Sequence, residues 1–225
     1  MEIMDVAQNL TAIQQKIRQA CLKRNRNLED ITIIGVTKYV TIERTEETIL
    51  AGITNIGENR LEGFQEKYNL LKDKGTWHFI GTLQSRKVKE IINQVDFLHS
   101  LDRLSLAKEI NKRATDPVNC FIQVNVSGEE SKHGIDPDQV IPFIEDLANY
   151  PNVYVVGLMT MAPHIDDKEK LRMIFRRLAD IRSNVQRENY THAPCQYLSM
   201  GMSNDYEIAI EEGATHIRIG TKLVG

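Results

Sequence analysis

The sequence predicts an α/β chain folded as one closed (β/α)8 barrel of the TIM type, spanning residues 1–225 as a single domain. Three observations predict it. Short runs rich in Val, Ile and Phe recur eight times, with helix-like segments between them. Several runs are continuously apolar rather than alternating, as strands buried on both faces of a parallel sheet require. The length of 225 residues suits eight β-then-α units, and no Pro- or Ser-rich linker divides them. An open doubly wound sheet is the alternative. Its dinucleotide-binding version lacks the G-x-G-x-x-G expected after the first strand.

The elements follow in order. Ile3, Val6, Leu10, Ile13 and Ile17 predict an extra helix before the first strand. Their spacing spans only two heptads, so a packed amphipathic helix is expected rather than a coiled coil. Strands are predicted at 31–37, 54–57, 76–80, 95–99, 118–126, 153–159, 195–200 and 215–219. Between the sixth and seventh of these, Leu171, Ile174, Phe175, Leu178 and Val185 trace one helix face. Asp136-Pro137-Asp138-Gln139 reads as a helix start with Pro at the first position. Asp166 with Glu169, and Asn59 with Glu62, have capping-box spacing. Gly52 and Gly213 are expected to stop helices. The segments from Gly52 to Ile56 and from Gly213 to Ile217 echo one another as helix, glycine, strand.

Composition narrows the function. Hydrophobic residues make up 41% and charged residues 26%, the balance of a soluble globular protein rather than a disordered, collagenous or rod-like one. A net charge of -3 gives no basic footprint for nucleic acid. No apolar run reaches the roughly 18 residues of a membrane span. The N-terminus shows no signal-peptide core. Three cysteines, Cys21, Cys120 and Cys195, are widely spaced without a CxxC, so neither zinc nor a disulfide framework is expected. A reduced, cytoplasmic protein is the simplest reading.

Barrels of this kind carry their chemistry on loops at the C-terminal ends of strands. Lys38 ends the first run. Glu58 and Asn59 follow the second, Gly81 and Gln84 the third, Ser100 and Asp102 the fourth, and Asn125 and Ser127 the fifth. The sixth ends in Met159 to Pro163, the seventh in Ser199 to Ser203, and the eighth in Arg218 to Thr221. A lysine held within the sheet loses hydration, which favours a neutral amine able to form a Schiff base. A strand-end lysine with its ammonium in water is the plain alternative. Ser203 precedes a helix of 206–212, where it caps the helix or helps hold an anion with the nearby N–H groups. Asp205 opposes the anion. Gly220 allows close backbone approach and Thr221 adds a hydroxyl. Arg218 lies between Ile217 and Ile219, so alternation turns it toward the barrel interior. There it makes an internal salt bridge, with Glu58 or Asp102, or donates to a ligand. Asn59 reads first as a helix cap, and His78 and Trp77 as core. Lys132 and Gly134 lie in a polar loop able to contact an anion.

Read together, GVTK at 35–38, GEN at 57–59, WHFIGTLQ at 77–84 and QVNVSGEESKHG at 123–134 resemble the pyridoxal 5′-phosphate homeostasis proteins, the YggS/PROSC family. GLMTMAP at 157–163, LSMGMSND at 198–205 and HIRIG at 216–220 extend the match almost end to end. The resemblance implies a barrel similar to the N-terminal domain of bacterial alanine racemases. It implies that Lys38 holds pyridoxal 5′-phosphate as an internal aldimine. Ser203, Gly220 and Thr221 match the phosphate positions, with Ser199 a weaker match. Arg218 matches the arginine facing the pyridine nitrogen, and Asn59 lies beside the ring. An arginine stays protonated and leaves that nitrogen without a proton, so the ring is a poor electron sink. Two departures stand out: Arg86 replaces the usual Asn, and Leu223-Val224-Gly225 replaces Ile-Phe-Gly without the usual short tail. A carrier in vitamin B6 homeostasis is expected, a monomer that buffers the cofactor and passes it to apo-enzymes. An alanine-racemase-like enzyme is the alternative. In racemases the second acid–base group comes from a further β-domain, for which the sequence after the eighth strand leaves no length.

Overall fold

The computed structural model describes residues 5–129 and 133–225. Eight parallel strands close in chain order into a barrel: β1 (Thr32–Val36), β2 (Asn55–Glu58), β3 (Thr76–Phe79), β4 (Phe97–Leu101), β5 (Val118–Gln123), β6 (Val153–Met159), β7 (Tyr197–Met202) and β8 (His216–Ile219). β8 pairs back onto β1, with Arg218 opposite Ile34. Around the barrel run α1 (Val6–Leu22), α2 (Ile42–Leu50), α3 (Leu61–Leu71), α4 (Val88–Ile91), α5 (Leu104–Arg113), α6 (Val140–Leu147), α7 (Lys168–Arg187), α8 (Tyr206–Glu211) and α9 (Thr221–Val224). The closed parallel barrel is the predicted fold class. No described helix is long and apolar enough to cross a membrane.

The strand boundaries move for local reasons. β7 starts at Tyr197 rather than at 195 because Cys195 has φ 47, outside the extended region. It then runs on to Met202 through a register shift between Ser199 and Met202, where Gly201 has φ 95. β5 stops at Gln123; beyond it Val124 forms an isolated bridge with Ile135, and its N–H donates to Met159 O at 2.8 Å.

The two echoed glycines do the same job. Gly52 and Gly213 both have φ 105. Behind each, the next residue's N–H returns to the helix: Ile53 to Thr48 O at 3.2 Å, and Ala214 to Ala209 O at 2.9 Å. These are Schellman stops, each needing a left-handed residue. Two predicted caps differ. Asp167, not Asp166, caps α7 by accepting from Lys170 N–H at 3.0 Å. Arg60, not Asn59, holds the cap position of α3, and its side chain makes no capping bond.

The predicted α7 face of Leu171, Ile174, Phe175, Leu178 and Val185 is buried. It joins Trp77, Phe79, Leu98, Ile217 and Ile219, which point from the strands toward the helices. Burying such a side chain contributes about 1.5–3 kcal/mol. α1 is clamped onto this layer through Val6, Leu10, Ile13 and Ile17, and Asn9 Nδ2 donates to Leu223 O at 3.0 Å. The opposite strand faces fill the barrel with rings. His99 stacks on Phe121 at 4.2 Å and His78 on Phe97 at 4.7 Å, while Tyr197 and His216 lie 4.9 Å apart.

Candidate functional site

The predicted site residues gather at the C-terminal mouth, where β8, β1 and β2 are neighbours and β7 adjoins β8. Lys38 lies in an exposed turn after β1, not within the sheet, so hydration is not stripped from it. β1 ends at Val36, and Thr37 makes the last buried step before the turn. Next to Lys38, Tyr39 is 74% exposed with φ 69. Its ring lies 5.7 Å from Lys38 Nζ and 5.3 Å from the Arg60 guanidinium carbon.

Beneath this turn sits a buried ion pair. Lys67 Nζ donates to Glu58 Oε1 and to Thr37 O, each at 2.6 Å. Thr37 Oγ1 donates to the same Glu58 oxygen at 2.6 Å. The cluster joins the last residue of β2 to the residue preceding Lys38. No motif in the sequence marks Lys67, although a signal exists: it shares one face of α3 with buried Phe64 and Leu71. Asn59 follows Glu58 directly. It is partly buried, and its Oδ1 is buried without a hydrogen-bond partner.

The ends of β7 and β8 meet as expected, with different bonding. Ser203 does not cap α8. Its Oγ accepts from Gly220 N–H at 3.3 Å, linking the two loops. The cap position of α8 belongs to Asp205, whose carboxylate turns back to accept from Met202 N–H at 2.6 Å. Burial raises the Asp205 carboxyl's pKa. A Cβ at Gly220 meets only Val36, at 3.6 Å, so no neighbouring side chain there enforces glycine. Thr221 opens α9 and is exposed.

Arg218 lies inside the barrel, 4% exposed, as alternation predicted. It forms a salt bridge with neither Glu58, which Lys67 holds, nor Asp102, which pairs with Arg103 at 2.5 Å. Instead Nη1 donates to Ser199 Oγ at 2.5 Å and Nη2 to Thr160 O at 2.9 Å. Its other N–H groups make no hydrogen bond among the described residues. Burial lowers its pKa to about 10, opposed by the Asp205 charge, so it remains a cation at neutral pH. Ser199 is fully buried between Arg218 and His99, its Oγ 2.9 Å from His99 Nδ1. His78 and Trp77 are core residues, as expected.

Lys132 lies outside the described residues. Cys21, Cys120 and Cys195 are free and buried, and burial pushes the Cys195 thiol up to about 12. No group of His, Cys, Asp or Glu among the described residues is arranged to hold a metal ion. The mouth therefore combines an accessible amine, neutral donors at two adjoining strand ends and a buried cation beneath them.

The alanine racemase N-terminal domain family matches residues 8–225. The pyridoxal phosphate homeostasis protein of Aquifex aeolicus is 42% identical over 226 residues, covering 99% of this chain and 98% of that protein. A protein of unknown function from Bifidobacterium adolescentis has a crystal structure that superposes with a TM-score of 0.93 at 30% identity, covering 97% of this chain and 94% of that one. PipY of Synechococcus elongatus, solved with PLP bound, gives a TM-score of 0.84 at 27% identity over 98% of this chain and all of that one. The closed barrel and the near full-length identity agree, and this chain belongs to the pyridoxal phosphate homeostasis proteins, a family built on the alanine racemase N-terminal barrel.

Proposed function

We propose that this protein binds pyridoxal 5′-phosphate, carries it as a Schiff base on Lys38, and buffers or delivers it to apo-enzymes without robust catalysis of its own. Arg218 carries the reading: a buried guanidinium without a salt bridge, with N–H groups left over, requires an acceptor. The residues fit the cofactor. Its aldehyde condenses with a primary amine, which the exposed Lys38 offers. The hydroxyls of Ser203 and Thr221 and the N–H of Gly220 suit a phosphate. Asn59, directly after β2, has a buried, unpartnered amide oxygen for a ring substituent. Ser199 acts from below, through Arg218.

Arg218 also sets the chemistry. As a protonated donor it holds the ring nitrogen unprotonated, so the ring withdraws electrons weakly. That suits storage and transfer better than bond-breaking at an amino acid. We place the protein in the cytoplasm, where buried thiols such as Cys120 stay reduced, as a monomer built on one barrel domain. The family match favours a second reading, an amino-acid racemase. Racemisation needs acid–base groups on both faces of the substrate carbon, and a turnover of about 1 s⁻¹ or more would replace the carrier reading.

The test is borohydride reduction of protein loaded with pyridoxal phosphate, followed by peptide mapping. The label is expected on Lys38, and Lys38→Ala is expected to lose it. A label on another lysine refutes the assignment.

A further inference from the structure

A chain of hydrogen bonds crosses the barrel behind Arg218, and the carrier reading does not use it. His78 Nε2 lies 3.0 Å from Asn55 Oδ1, and His78 Nδ1 lies 2.9 Å from His99 Nε2. His99 Nδ1 lies 2.9 Å from Ser199 Oγ, which in turn lies 2.5 Å from Arg218 Nη1. Four strands beyond β8 contribute: β2, β3, β4 and β7.

The Asn55 end and the neutrality of the rings set the direction of every link. Asn55 Oδ1 only accepts, so His78 carries its hydrogen on Nε2 and donates to it. A neutral His78 then accepts at Nδ1, so His99 carries its hydrogen on Nε2. A neutral His99 accepts at Nδ1 from the Ser199 hydroxyl, whose oxygen accepts from Arg218, since a guanidinium only donates. A second proton on His78 would set its Nδ1–H against His99 Nε2–H, and one on His99 would turn the Ser199 hydroxyl hydrogen away from the ring. Burial keeps the rings neutral: His78 is pushed down to about 3 and His99 well below the ordinary value, and the Arg218 charge further opposes protonation of His99.

We infer that His99, backed by His78 and Asn55, is a positioning residue for Arg218. By taking the Ser199 hydrogen it keeps a serine lone pair turned to the guanidinium, leaving the remaining Arg218 N–H groups for an acceptor at the mouth. The inference rests on the carrier reading for the identity of that acceptor, but the polarity of the chain does not.

Two measurements test it. ¹⁵N imidazole NMR of the cofactor-free protein at neutral pH is expected to show His78 and His99 neutral and protonated on Nε2. A charged ring, or a hydrogen on His99 Nδ1, overturns the polarity whatever the protein binds. The second compares His99→Asn with His99→Phe after loading with pyridoxal phosphate. The Asn oxygen stands where Nδ1 stood and accepts from Ser199, so this variant is expected to keep the wild-type absorption spectrum. The Phe variant keeps the stacking on Phe121 but loses the acceptor, and its absorption maximum is expected to shift with Lys38 still labelled. A packing role predicts the reverse order. Equal spectra for the two variants overturn the inference. Wild-type protein that takes up no pyridoxal phosphate overturns the carrier reading while leaving the NMR result standing.

Discussion

Replacing Lys67 by Met isolates the ion pair beneath the Lys38 turn. Lys67 and Glu58 are 4% and 1% exposed, and their charged atoms lie 2.6 Å apart. Met fills much of the lysine's volume but leaves Glu58 buried without its cation. Breaking such a pair from one side costs about 3–5 kcal/mol, a large part of the roughly 5–15 kcal/mol that holds a domain folded. The single tryptophan, Trp77, is 1% exposed, so its fluorescence reports unfolding in urea. With a urea slope near the upper end of the usual range, about 3 kcal/mol per M, the midpoint falls by about 1 M or more. The companion is Lys67→Met with Glu58→Gln. The amide removes the stranded charge while still accepting from Thr37 Oγ1, so most of the loss is expected to return. The reasoning is refuted if Lys67→Met loses less than about 1 kcal/mol, or if the double variant is no more stable than the single. Because Thr37 and Glu58 directly precede Lys38 and Asn59, the single variant is also expected to take up pyridoxal phosphate more weakly under conditions where it is folded.

Gly201→Ala is expected to lose more stability than Gly52→Ala in thermal unfolding. Both have positive φ, worth about 1–2 kcal/mol, but a Cβ at Gly201 comes within 2.6 Å of Ala209 Cβ, whereas one at Gly52 meets nothing within 4 Å. Arg218→Glu is expected to protonate the ring nitrogen of bound pyridoxal phosphate and shift its absorption; an unchanged spectrum with the cofactor retained places Arg218 away from the ring. Stability should fall with acid. Burial first, then neighbouring charge, holds His78 near 3 and His216 near 4 in the folded chain, so below the ordinary 6.5 the unfolded chain takes up protons first. The stabilisation is complete above pH 6.5 and declines toward pH 3–4, by about 2 kcal/mol per ring at pH 5, and a urea midpoint flat between pH 7 and 5 contradicts it.

The fold was legible because its signals are local. Continuous apolar runs mark buried strands, and the glycines at 52 and 213 mark stops that a left-handed backbone imposes. The misplaced caps show where local signals compete. Asp166 and Asp167 both qualify for the start of α7, and only the chain's path settles it. Ser203 looked like a cap, but barrel closure set Gly220 beside it and gave its oxygen another donor. The site was legible as a set of strand ends, since each loop follows its strand in sequence. What supports it was not. His99 and Ser199 are 100 residues apart and meet only once β4 and β7 face each other across the barrel. Lys67 sits nine residues from Glu58, yet its burial depends on α3 packing against the outer face of β3 through Phe64, Trp77 and Phe79.

These supports explain how one mouth can both hold and release a cofactor, on the carrier reading. The donors beneath the ring are fixed. Arg218 is buried and tied to Ser199 of β7 and to Thr160 just after β6, and the ion pair at the ends of β1 and β2 fixes the backbone that carries Lys38 and Asn59. Fixed donors lose little freedom on binding, which favours affinity. The covalent anchor has the opposite character. Lys38 stands on an exposed turn beside Tyr39, open to water and to an incoming amine. Either of these can displace the lysine, so the link is breakable from outside while the floor stays in place.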